Sequence, residues 1–328
     1  MNNLTAKSTV SSTLLNAPYQ LNMWIGCFIL ITGNLSTFGN IIVFSSKAFR
    51  NRACTVYLLA EAFVVIVNFN LVLLTRVLQK GFKISIMNRF DSICKIRYFA
   101  SMYTDILALT LFILASLDRL LEAQRSPALR KWSNRTKLAY KVVAGCIIGW
   151  FLLTGCRLVL YSTSYGSCEA LPGPYAIFDN YYESIVSGIC PPIIILIISY
   201  LMVRSVRETI QRQAVPTVNG ELNNKPKPNL AFLRNTDKQL TMMLLWQTFV
   251  AIPAFIPYAA LLIYSSITAN WSKSAEYVAW ENVFAETIRL LSYTFFSTQF
   301  YVTLISSQGI RKQVRAVFTG KNSVSVTT

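Results

Sequence analysis

Four ionisable side chains interrupt long apolar stretches of the sequence. They are Glu61, Asp105, Glu286 and Arg289. An ionisable side chain in hydrocarbon costs about 2.5–3.5 kcal/mol, so such residues are candidates for ligand binding or for charge pairing. Asp105 could bind a ligand amine or pair with Arg289 across a helix bundle, and we favour the pair. No partner for Glu61 is evident from the sequence.

The residue types that most enzyme sites require are missing. The chain contains 0 histidines, which excludes most zinc sites and all Ser/His or Cys/His nucleophile pairs. Its acidic residues form no repeated motif. We therefore expect no enzyme activity, no metal and no cofactor.

Apolar stretches of about 20 residues recur along the chain, and an α-helix needs that length to cross a bilayer. The sequence is 53% hydrophobic and only 14% charged, whereas soluble domains are about 25% charged. These values predict an all-α membrane protein, a bundle of seven transmembrane helices. The predicted spans are 21–46, 55–78, 94–120, 138–161, 181–206, 239–267 and 278–306.

The net charge of +17 would suit nucleic-acid binding. The basic residues, however, lie mainly in short links between apolar stretches, as they do in cytoplasmic loops. We therefore expect no nucleic-acid partner, and a plasma-membrane protein with its N-terminus extracellular. Residues 1–20 form the extracellular segment, 21–306 the bundle, and 307–328 a cytoplasmic tail that begins with a short amphipathic eighth helix. Asn3 and Asn270 begin glycosylation sequons on the outer side.

The link between the second and third spans runs against this charge pattern. It carries six basic residues against a lone aspartate, Asp91. The basic residues are Arg76, Lys80, Lys83, Arg89, Lys95 and Arg97. Two interpretations remain open: a surface that attracts an acidic ligand, or a solvated loop that contacts lipid headgroups.

The third span has a recognisable residue at each end. Cys94 begins the span on the outer side, and Cys168 lies in the next outer link. The outer side is oxidising, so a disulfide between them is allowed, with two free thiols as the alternative. Arg119 follows Cys94 by 25 positions, which is about 37 Å of helix. Cys94 therefore marks the outer face, and Asp118 with Arg119 marks the inner one.

Further marks follow in order along the chain. They are Gly39, Asn40, Trp150, Pro192, Tyr200 and Pro257. Together with Cys94 and the Asp118-Arg119-Leu120 triplet, this ordered set resembles the rhodopsin-like G protein-coupled receptors, especially their divergent invertebrate orphans. Leu120 replaces the usual tyrosine of the triplet. The resemblance covers residues 20–318 and implies a receptor that binds an unknown extracellular ligand and activates a heterotrimeric G protein.

Two spans depart from the family's pattern. Phe63 stands where the family has its sodium-binding aspartate. In the seventh span, Gln299 and Phe300 replace an Asn-Pro pair, and Thr303 stands where a tyrosine belongs. The resemblance therefore does not extend to a sodium site or to the tyrosine switch of the seventh helix.

The resemblance also implies a switch on the inner side. Arg119 would pair with Asp237 and hold the inner ends of the third and sixth helices together. A solvated loop position for Asp237 is the alternative. Movement of the sixth helix, kinked at Pro257, would break the pair and admit the G protein, with Asp118 and Tyr200 as further switch residues.

The same resemblance implies a ligand pocket in the outer half of the bundle. Its candidate residues are Ser101, Asp105, Tyr258, Glu286 and Arg289. The family's usual amine-binding aspartate lies one turn higher than Asp105, at Ser101, so an amine ligand is not implied. The main alternative is a transporter or channel, which needs a continuous polar path through the bundle.

Overall fold

A computed structural model gives the structure of the chain. It describes residues 10–46, 49, 51–122, 135–164, 166–214, 228–268, 271–306, 311 and 314, without the side chains of 206, 208–214 and 228–238. Three predictions lie outside the described residues. They concern the glycosylation of Asn3 and Asn270, the side chain of Asp237, and the eighth helix.

The described part of the chain forms seven long helices and one short hairpin. The helices are Ser12–Phe44 (α1), Ala53–Lys80 (α2), Asp91–Glu122 (α3), Thr136–Leu160 (α4), the joined segments Pro174–Glu183, Ser184–Ile189 and Cys190–Ala214 (α5), Pro228–Ile267 (α6) and Ala275–Ser306 (α7). A 3₁₀ turn, Ile86–Asn88, precedes α3. Strands Tyr161–Ser162 (β1) and Glu169–Ala170 (β2) pair antiparallel, with Tyr161 opposite Ala170.

Helices α1 to α6 each contain a segment long and apolar enough to cross a membrane. A helix satisfies its backbone hydrogen bonds internally, as hydrocarbon requires. The all-α, multi-pass character predicted from the sequence is therefore confirmed, with six candidate spans.

Helix α7 differs from the other six in composition. It has 32 residues, as α3 does, but it is not among the six apolar candidates. Charged side chains occupy its first half, and hydroxyl and amide side chains such as Gln299 and Thr303 occupy its second. Arg311 closes its end by donating from Nη1 to the carbonyls of Leu304 and Ile305, both at 2.8 Å.

The outside of the bundle is apolar, the reverse of a soluble protein. Helix α4 shows this most clearly, because Ile148, Leu152 and Val159 are all exposed. Exposed apolar surface on this scale marks contact with a membrane or a partner. The long spans make lipid the natural neighbour of these faces.

Aromatic rings fill the centre of the bundle. Phe295 of α7 lies with its ring centroid 5.2 Å from Phe112 of α3 and 5.3 Å from Phe255 of α6, both edge-on. Glycines let the remaining helices approach. A Cβ placed on Gly33 or Gly39 of α1 would lie under 3 Å from the ring of Phe69 or Phe300, so only glycine permits this packing.

Candidate functional site

Cys94 and Cys168 form a disulfide that joins the start of α3 to the residue before strand β2 of the hairpin. Their Cα atoms are 5.7 Å apart and 74 positions separate them in sequence. Both are buried, together with Met87 and Tyr161. The predicted disulfide is confirmed, and we call this end of the bundle the disulfide end.

A buried ionic network holds the hairpin next to the disulfide. Arg157, at the end of α4, donates from Nε to Asp179 at 3.0 Å and from Nη2 to Glu183 at 2.7 Å. Tyr161 donates its hydroxyl to Asp179 at 2.7 Å, and its ring stacks on Tyr98 of α3 at 4.5 Å. Burial raises the pKa of Tyr161, so this hydroxyl stays protonated and can donate.

The sequence reasoning missed this network. Its signal is present, since Arg157 is a cation on the less basic side of the chain, and Asp179 and Glu183 lie four residues apart on one helix face. The network positions the hairpin over the disulfide end of α3.

Replacing Arg157 with alanine should destabilise the protein by about 1–3 kcal/mol. In the variant, Asp179 keeps its hydrogen bond from Tyr161, and Glu183 is partly exposed to solvent. Each carboxylate therefore keeps a hydrogen-bond donor. The thermal unfolding midpoint, followed by tryptophan fluorescence, measures the loss. Lys95→Ala is the control, because the Lys95–Asp91 pair is partly exposed and ion pairs near the surface contribute little. Equal losses in the two variants would contradict a structural role for the network.

Glu286 ties three helices together near the disulfide end. Its Oε2 lies 2.5 Å from Nη2 of Arg76 on α2 and accepts from Nδ2 of Asn22 on α1 at 3.0 Å. Its Oε1 lies 3.9 Å from Nη1 of Arg289. The predicted pocket residue Glu286 is therefore held by protein partners.

The predicted pair of Asp105 and Arg289 is wrong. Within the described part of the chain, no ion pair joins them, and Arg289 lies beside Glu286 instead. Asp105 lies near Glu183 and Tyr258, on the side of α5 and α6. The sequence gives the depth of each residue in its helix, but depth alone does not decide which neighbour it faces.

Other predicted pocket residues retain accessible surface inside the bundle. Ser101, Asp105, Tyr258 and Tyr293 are only half-buried, and the last three lie near one another on α3, α6 and α7. These side chains therefore line an internal opening. Sequence reasoning did not single out Tyr293, because an aromatic residue in an apolar helix usually packs in the core.

Three helices are wound as π-helix around this opening. The π segments are Asn22–Gly26 in α1, Asn68–Leu73 in α2 and Ser184–Ile189 in α5. In the second of these, Asn68 donates to Thr104, the neighbour of Asp105, at 2.8 Å. π-helical turns occur frequently at functional sites, which supports this end of the bundle as the binding region.

Arg119 lies buried at the opposite end of α3, which we call the Arg119 end. Its Nη2 donates to Asp118, and its Nη1 forms an ion pair with Glu122, both at 2.5 Å. The two carboxylates compensate the charge that burial would otherwise make costly. Asp237 lies within α6, but its side chain is outside the described residues, so its pairing with Arg119 stays a prediction.

The two remaining switch residues have different surroundings. Tyr200 is 67% exposed and faces away from the bundle. Its predicted part in the switch stays a prediction. Pro257 lies within α6 together with Pro253, where a proline frees a backbone carbonyl and permits a kink.

A buried polar network crosses the bundle between the two ends. Gln299 of α7 donates to Glu61 of α2 at 2.6 Å, and Gln247 of α6 donates to Thr303 at 3.2 Å. Glu61, for which the sequence suggested no partner, therefore faces the interior of the bundle. Phe63, two residues further along α2, is 56% exposed on another face.

Comparison with known proteins assigns the chain to no family. No protein-family model matches it, and no curated protein matches it either. The resemblance drawn from its motifs therefore rests on those residues alone.

Proposed function

We propose that the chain is a seven-helix receptor of the plasma membrane that couples an extracellular ligand to a heterotrimeric G protein. One observation carries this proposal. A single helix, α3, begins at a disulfide-tethered cysteine and ends at a buried arginine held by Asp118 and Glu122. The proposal counts α7 as the seventh span and places the disulfide end outside.

The arrangement suits a receptor because binding and coupling occupy opposite ends of the bundle. Half-buried side chains line an opening near the disulfide end. At the Arg119 end, Arg119 is a cation whose release from its neighbours would expose a positive charge to a partner. A ligand can switch such a bundle only if it binds one conformation better than the other.

Ligand-driven dissociation of a G-protein heterotrimer is the expected result in cells that express the chain. Peptide, amine, lipid and carboxylate libraries would be screened with a luminescent sensor for each G-protein class. Arg119→Ala should reduce the response to background at equal surface expression, since it removes the buried cation at the coupling end. Arg89→Ala, which changes an exposed arginine near the disulfide end, should respond as the unchanged chain does.

A transporter or channel would give the opposite pattern. Ligand-dependent flux of a solute or ion without heterotrimer dissociation would contradict the receptor. Terminal tags on the same side of the membrane would also contradict it, because seven spans place the two ends on opposite sides.

A further inference from the structure

Three arginines and one glutamate meet near the disulfide end. Arg76 comes from α2, Arg97 from α3, and Arg289 from α7. Glu286 contacts Arg76 at 2.5 Å and Arg289 at 3.9 Å, and Arg97 is close enough to feel the charges of both other arginines. The cluster therefore holds three positive charges against one negative charge.

Arg97 is the member whose charge lacks compensation. It is 7% exposed, and its Nε is buried without an acceptor. Its Cζ lies 5.2 Å from the centroid of the Tyr98 ring. A ring face attracts a cation, but it does not replace the five acceptors that a guanidinium can use. Because arginine cannot discharge by losing its proton, such burial favours an added anion.

A second nitrogen atom of the cluster also lacks a hydrogen-bond acceptor. Nε of Arg76 is also buried without an acceptor, although its Nη2 binds Glu286. Glu286 thus satisfies only part of the donor capacity of the cluster. Two guanidinium groups on neighbouring helices retain N–H groups for a further partner.

The internal opening reaches this cluster. Tyr293 of α7 is half-buried and lies near all three arginines, and the side chain of Arg289 is 41% exposed. Across the opening, Asp105 is close enough to Glu183 to feel its charge. Glu183 is paired with Arg157, so the uncompensated positive charge lies on the arginine side, and an anionic group is favoured there.

We propose that Arg76, Arg97 and Arg289 bind an oxyanion, a carboxylate, sulfate or phosphate group, of the molecule that enters this opening. The inference rests on the proposed receptor function for its role in signalling. The planar guanidinium fork binds two oxygens of such a group at once, and the Tyr293 hydroxyl adds a donor. The oxyanion comes either from a soluble ligand or from an acidic lipid headgroup.

Thermal unfolding of the purified full chain in nanodiscs tests this site. Succinate and sulfate are added to nanodiscs of phosphatidylcholine, and a separate sample contains phosphatidylserine without added anion. A saturable rise of the unfolding midpoint is expected with at least one of these probes. A rise in phosphatidylcholine assigns the oxyanion to a soluble ligand, and a rise only with phosphatidylserine assigns it to a headgroup.

Matched arginine variants identify the site. Arg97→Gln should weaken the apparent affinity by about 10- to 100-fold, the effect of losing hydrogen bonds to a charged group. Arg89→Gln, an exposed arginine nearby, should bind as the unchanged chain does. If Arg97→Gln does not fold, Arg289→Gln carries the test, because its side chain is partly exposed.

Two results would overturn the site. One is the absence of a saturable shift with any probe in either lipid. The other is an equal shift in Arg97→Gln and Arg89→Gln, which would indicate a general salt effect. The nanodisc assay contains no G protein, so it tests anion binding separately from signalling. Anion binding in this assay, together with no heterotrimer dissociation in the cell screen, would contradict the receptor function and still support the site.

Discussion

Glu286→Gln should destabilise the protein by about 3–5 kcal/mol, the cost of leaving a buried charge without its partner. Arg76 and Glu286 are both largely buried and their charged atoms lie 2.5 Å apart. Glutamine keeps an oxygen for Asn22 but removes the negative charge. Arg76, Arg97 and Arg289 would then repel one another without compensation.

The double variant Arg76→Gln, Glu286→Gln distinguishes a lost pair from general damage. Removing both partners leaves no stranded charge between them, so most of the stability should return. Glu276→Gln, an exposed change on the same helix, should have almost no effect. Unfolding midpoints in nanodiscs of the unchanged chain, both single variants, the double variant and the control give the comparison. A double variant as unstable as the sum of its single variants would reject the pair as the source of the loss.

Much of the architecture was predictable because it depends on local composition. Seven apolar stretches predicted seven helices, and the majority of the predicted ends lie within a few residues of the observed ones. Six of these helices are apolar enough to span a membrane. The disulfide was predictable because Cys94 and Cys168 flank predicted spans on the same side. The early start of α5, at Pro174 instead of 181, was not predicted, because its first turns are polar.

The charge partners were not predictable in the same way. Arg76 and Glu286 are 210 positions apart, and Glu61 and Gln299 are 238 apart. Such pairs depend on how each helix is rotated about its own axis, which no local pattern specifies. Asp105 and Arg289 lie in the right halves of their helices, yet they face different neighbours.

Phe63 shows how small the deciding difference is. It lies two residues from Glu61, and two residues turn an α-helix by about 200°. A shift of two positions along the helix therefore exchanges the interior face for the outward one. Glu61 is buried and hydrogen-bonded whereas Phe63 is exposed, and the apolar composition of the stretch did not distinguish these two faces.

Cys94→Ser should destabilise the protein by about 2–5 kcal/mol, the usual cost of removing a native disulfide. The bond closes a loop of 74 positions, and the chain-entropy model gives about 4 kcal/mol for that length. The hairpin would remain attached through Arg157 and Tyr161, so we expect a loosened disulfide end and a folded remainder. The unfolding midpoint in nanodiscs measures the loss.

Non-additivity makes this prediction specific to the bond. Cys94→Ser, Cys168→Ser and the double variant should lose the same stability, because each removes the same covalent link. A reducing agent should lower the midpoint of the unchanged chain and leave the variants as they are. Cys190→Ser, at an exposed free cysteine, is the matched control. Losses that add between Cys94→Ser and Cys168→Ser would mean that the two residues stabilise the protein through separate packing contacts.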